Sequence, residues 1–441
     1  MNAIRPVSRR SRQALTAALV LLLVLISVGH GDQVSDLRLA AGAYEQDITR
    51  WEITHFMDKW GRRLGDAVLP GTPNADDRRA AVDEFFALRA DLAQARADVN
   101  QALAAPADAP QTATDAQASV DAFLQRRAEL QAVVEETLEA AITQVVRDMG
   151  VIDSLGPIQW PPVDFTFEER ALVLVRSPSD RIARLDDLLL DPGVSVLDQV
   201  GIEQNVESLD DNTAALVVRI GGVATYPAQV SPSRSLHGTL ELAAHEWLHH
   251  WLIFRPLGRS WFAGGELQSV NETVANIFGQ EVGDRTLEIL TGEVVDRPAW
   301  VPPTVHQRDE PPADVFDFRR EMRETRLALD VLLDDARADD AEAYLEERRL
   351  AFVANGYHIR KLNNAWFAFN GTYADAPGSV SPLEGQLRAI RADASDLAAF
   401  LDRIAGVNHP GQIETLALAA GWQPIDTATG LPSASAPRAA P

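Results

Sequence analysis

The sequence predicts an α+β fold, mostly helical, with a short mixed sheet set between an N-terminal and a C-terminal helical region. Three observations carry this. Apolar residues recur at helical spacing over most of 34–149 and again in segments of 314–420. Two short runs rich in β-branched residues, 171–176 (ALVLVR) and 214–220 (AALVVRI), follow Gly150. A Pro-rich stretch, 293–312, divides the middle of the chain from the second helical region.

Arg5, Arg9, Arg10 and Arg12 precede an uncharged apolar run at 14–28. A basic flank before such a run marks an export signal or a transmembrane anchor, with the rest of the chain on the extracytoplasmic side. The run is long for a signal core and short for a span. Retention as a membrane anchor and removal with secretion both stay open.

Leu37, Ala41, Tyr44, Ile48 and Trp51 then give 34–69 a helical stripe, and His55 continues it as a packed or surface residue. A helix is expected over 80–103, a flexible Pro/Ala/Thr-rich connection over 104–117, and a long helix over 120–149 with Phe123, Leu130, Val134, Leu138 and Ile142 on one face. Strands are expected at 171–176, 214–220 and 223–230, then helices over 236–252 and 265–283. Charged helices follow at 314–337 and 341–369, with shorter ones in 382–403 and 411–420. The Ala/Pro/Ser-rich tail, 425–441, reads as disordered.

The formal charge of -24 argues against a nucleic-acid partner, because phosphate binding needs a basic surface. The chain has no cysteine, which excludes disulfides and a thiol nucleophile. Any metal must be held by histidines and carboxylates, the donor types of a catalytic zinc site.

His245-Glu246-Trp247-Leu248-His249 is such a site in outline. On a helix, positions i and i+4 share a face, so His245 and His249 can hold one metal ion together. Glu246 stands close enough to act on a water beside the metal. His250 points off that face and could steady the site from behind. The metzincin extension is absent, since Leu252 and Arg255 stand where its Gly and third His would be. Glu272, within Asn271-Glu272-Thr273-Val274-Ala275 on a following helix, is the alternative third ligand.

This pattern resembles the gluzincin class of zinc metallopeptidases. The resemblance implies one Zn2+ per chain held by His245, His249 and Glu272, with Glu246 as general base. Some gluzincins carry an Asp one turn after the ligand Glu to orient a histidine, and Asn276 stands there. The run Leu362-Asn363-Asn364-Ala365, Phe367 and Gly371-Thr372-Tyr373 resembles a bacterial family of predicted aminopeptidases, over roughly 236–405. From that resemblance Tyr373 is the oxyanion donor, and Asn364 is a substrate or structural contact. Tyr357, His358 and His306 are rivals to Tyr373, and Glu266 could grip a substrate α-amine.

The chain is then divided into an anchor or signal segment (1–30), a helical region (31–150), a zincin-like core (151–300), a C-terminal helical region (301–424) and the tail. The expected function is hydrolysis of peptides, with aminopeptidase action from the family resemblance. An endopeptidase of the same class and a non-catalytic helical scaffold are the alternatives. The edge of the 214–230 strands is the expected platform for an extended peptide.

Overall fold

Helical periodicity in the first third of the chain builds α1 (Asp36–Ala41), α2 (Ile48–Val68), α3 (Ala75–Ala104) and α4 (Pro110–Asp148). The computed structural model describes residues 36–68, 74–104, 110–151, 153–155, 158–168, 172–220, 222–263, 265–298, 316–357, 359–371 and 381–424. The expected single helix over 34–69 is interrupted at Gly42–Tyr44, where the chain tightens into a 3-10 turn and Glu45 bridges to Leu190. Asn74 starts α3, its Oδ1 accepting from Asp77 N at 2.9 Å. The expected loop over 104–117 is instead helical from residue 110. Proline at the first helical position loses no hydrogen bond there, and its ring already fixes a helical φ.

The expected strands at 171–176 and 214–220 are β4 (Leu172–Ser177) and β6 (Ala214–Arg219), preceded by β1 (Asp153–Leu155), β2 (Ile158–Trp160) and β3 (Phe165–Phe167). β4 is central, antiparallel to β6 on one side and to β5 (Asp186–Leu190) on the other. A separate small sheet has the order β3-β8-β7, with β7 (Gly222–Val223) antiparallel and β3 parallel to β8 (Ala228–Val230). Helix α5 (Val196–Glu207) connects β5 to β6 and covers their sheet with Ile202 and Val206.

Next come α6 (Leu236–Leu252), the short α7 (Pro256–Arg259) and α8 (Glu266–Thr291). The C-terminal region contains α9 (Phe318–Asp334), α10 (Ala338–Ala354), α11 (Asn364–Asn370), α12 (Leu383–Asp393), α13 (Leu397–Ile404) and α14 (Gly411–Ala419). One apolar core runs from Phe85 and Ile142 through Trp247 and Phe278 to Leu387 and Phe400, so α6 and α8 lie at the centre of the molecule. The fold is mostly helical α+β with short mixed sheets, as the sequence predicts.

The expectation of a transmembrane anchor or signal-anchor contact with a membrane is corrected. Among the described residues no helix is long and apolar enough to cross a bilayer. Residues 14–28 lie outside the described residues.

Candidate metal centre

α6 begins at Ser235, whose side chain accepts from Gly238 N at 3.1 Å. Leu240, Ala243, Ala244, Leu248 and Leu252 bury one side of the helix. Two indoles fix its rotation: Trp247 Nε1 donates to Pro161 O and Trp251 Nε1 to Val151 O, both at 3.1 Å. The opposite side turns His245, Glu246 and His249 toward a cleft of about 730 Å³. α8 crosses this face closely. A Cβ on Gly279 would lie 2.5 Å from Glu241 O and 3.1 Å from His245 Cβ, so only glycine permits the approach.

That approach brings Glu272 to the histidines. His245 Nε2 and His249 Nε2 are 3.0 Å apart. The Glu272 carboxylate lies 3.3 Å from the first and 3.9 Å from the second. Asn271 Oδ1 accepts from His249 Nδ1 at 2.8 Å, so the proton of that ring sits on Nδ1 and Nε2 presents a lone pair. Asn276 hydrogen-bonds His245. The sequence singled out Asn276 for this task; Asn271 was missed, although it stands next to Glu272 in the same motif.

The donor set fits a divalent cation. Glu272 Oε2 is buried and, among the described residues, has no hydrogen-bond partner. A tetrahedral site with bonds of about 2.0 Å has donor–donor edges of about 3.3 Å, close to the separations among these three side chains. His245, Glu246 and His249 also bring ligand-type atoms within 4.8 Å of one another. Glu246 differs from the other three in that its carboxylate rests on β7: a Cβ on Gly222 would lie 2.5 Å from Glu246 Oε1.

Burial and charge set the protonation states. Burial pushes the Glu246 carboxyl up to about 7, with Glu272 adding to the rise and His245 and Arg234 opposing it. Burial pulls His249 down to about 4, against the attraction of Glu272, so its ring is neutral at pH 7. Burial also favours neutral His245, but the Glu272 carboxylate 3.3 Å away and the charge of Glu246 outweigh this and raise its pKa. Glu272 is lowered despite its burial, because both histidines favour its charged form.

His250 leaves the ligand face as expected. Its Nε2 donates to Thr225 O at 2.7 Å, which ties the last turn of α6 to the loop between β7 and β8. Trp261 stands edge-on to the His249 ring at 5.3 Å, a contact with no motif to announce it. Asn364 is far from this cleft in role: its Nδ2 donates to Pro178 O at 3.0 Å and Ser179 O at 2.8 Å, holding α11 against the loop after β4. Tyr357 packs among Phe316, Phe318 and Phe352 instead of lining the cleft. Glu266 is exposed in the first turn of α8. His55 stacks on Trp51 at 4.1 Å and meets Trp51 O with Nδ1 at 2.8 Å. Tyr373, His306 and His358 lie outside the described residues.

Comparison with protein-family models, with curated proteins and with solved structures finds no match for this chain.

Proposed function

We propose that the chain is a zinc-dependent peptidase of gluzincin type, acting as an aminopeptidase as its sequence resemblance implies. The convergence of His245, His249 and Glu272 in a buried cleft, with Glu246 beside them, is the observation that carries this reading. His245, His249 and Glu272 would hold the ion, which when bound supplies a Lewis acid for the scissile carbonyl and for water.

The remaining chemistry belongs to the chain. Glu246, with a pKa near neutrality, accepts a proton from the attacking water and can return it to the leaving amine. Gly222 leaves room for that carboxylate directly beside β7. β7 is at the edge of its sheet, so its outer side can pair with an extended peptide main chain. Asn271 fixes the tautomer of His249. Tyr373 is assigned the oxyanion contact by the family resemblance.

The decisive experiment combines metal analysis with two variants. The purified chain should carry one zinc, lost on His249→Ala. Glu246→Gln should keep fold and zinc while hydrolysis of a peptide panel falls about 10²–10⁴-fold. Zinc absent from the wild type, or hydrolysis untouched by Glu246→Gln, would reject the reading. Peptides with free and blocked N-termini then separate aminopeptidase from endopeptidase action.

A further inference from the structure

Arg219, Arg234 and Arg184 all line the cleft. The chain has 64 Asp and Glu against 40 Lys and Arg, and several arginines that lie in or near packed elements are taken up by this excess. Arg176 closes on Asp186, Arg360 on Glu203 and Arg391 on Glu281. Arg184 follows the same pattern, its Nε donating to Asp187 at 2.8 Å.

Arg219 and Arg234 do not. Both are exposed, and among the described residues neither has an ion-pair or hydrogen-bond partner for its guanidinium. They sit on either side of the β7–β8 unit in the chain: Arg219 ends β6, and Arg234 precedes the cap of α6. Arg234 is close enough to Glu246 for its charge to favour that carboxylate. The long-range field of a chain with a charge of -24 repels an anionic ligand. Unpaired guanidinium groups in the lining, which also holds Glu52, Glu241, Glu246 and Glu272, oppose this at their own positions, and their planar donor forks match a carboxylate.

We infer that the cleft selects peptides bearing a carboxylate, either the C-terminal α-carboxylate or an Asp/Glu side chain, and that Arg219 and Arg234 determine this specificity. The inference rests on reading the cleft as a peptide site.

The test is equilibrium binding by calorimetry on the full chain carrying Glu246→Gln, so that peptides stay intact. Two peptide pairs separate the sources: penta-alanine as the free acid against its amide, and Ala-Ala-Glu-Ala-Ala amide against its Gln counterpart. In at least one pair the carboxylate peptide should bind about tenfold more tightly, the scale of charge-assisted hydrogen bonds. Adding Arg219→Gln and Arg234→Gln should bring that ratio close to one. No preference in either pair, or a preference that survives both substitutions, overturns the inference. Carboxylate preference in a chain that hydrolyses no peptide would leave the inference standing and reject the peptidase reading. Hydrolysis of both members of each pair without preference would do the reverse.

Discussion

His249 presents its Nδ1 to Asn271 Oδ1 at 2.8 Å, and Asn271 is the residue immediately before the carboxylate that faces the other side of the same ring. One turn of α8 therefore both aims the imidazole and supplies the carboxylate beside it. Removing such a supporting contact commonly weakens metal binding 10–100-fold. Asn271→Ala is expected to lower zinc affinity by about that factor, read by competition with a chelator, while Asn271→Asp should hold it. Equal affinity in Asn271→Ala would show that the ring is oriented by packing alone.

Gly222 tests the other side of the centre. The Cβ of an alanine there would meet Glu246 Oε1 at 2.5 Å and Gln229 O at 2.8 Å. The carboxylate must move to admit it, and a displacement on this scale costs about 10²-fold in rate. Gly222→Ala should therefore lose turnover with its zinc content unchanged. Equal loss of both would place the damage in the fold instead.

The buried Glu139, held beside Lys59, sets a pH dependence of stability. Lys59 Nζ lies 2.8 Å from Glu135 and 2.6 Å from Glu139, and Glu139 also accepts from Phe165 N at 2.9 Å. Burial nevertheless pushes Glu139 up to about 8, with Lys59 opposing and Asp164 and Glu135 adding to the rise. Its unfolded value is about 4.3. A raised carboxyl contributes stability that is complete below the unfolded pKa and is lost as pH rises through the folded one. Denaturant midpoints of the wild type should fall between about pH 4 and 8, and Glu139→Gln should flatten that slope. A midpoint that climbs over this interval in the wild type would contradict the assignment.

Much of this centre is legible in the sequence, and the limit has a physical cause. His245 and His249 are related by helix geometry alone, so their spacing suffices. Glu272 is reached through a motif on the next helix. Gly222, Trp261, Arg219 and Arg234 come from strands and connections whose placement depends on sheet register and on how α6 is rotated, which no local spacing encodes. Asn364 shows the converse: its motif is recognisable, but its partners, Pro178 and Ser179, come from a distant loop. Residues 110–117 have the Pro and Ala content of a connection, yet proline at a first helical position starts a helix there.

Gly279 offers a stability test coupled to the metal. A larger side chain there must part α6 from α8, and overpacking of this kind typically costs about 1–3 kcal/mol. Gly279→Val should lower the unfolding midpoint, and adding zinc should recover less of it than in the wild type, since bound ligand stabilises only a competent site. Full recovery by zinc would mean that the donor separations survive the insertion.

The bond from His250 to Thr225 O has a mechanical consequence. The helix that carries His245, Glu246 and His249 is also joined, by this hydrogen bond, to the loop that ends the edge strand. On the proposed function, platform and reacting groups would share a chassis, so a shift of α6 is expected to carry Thr225 and its loop with it.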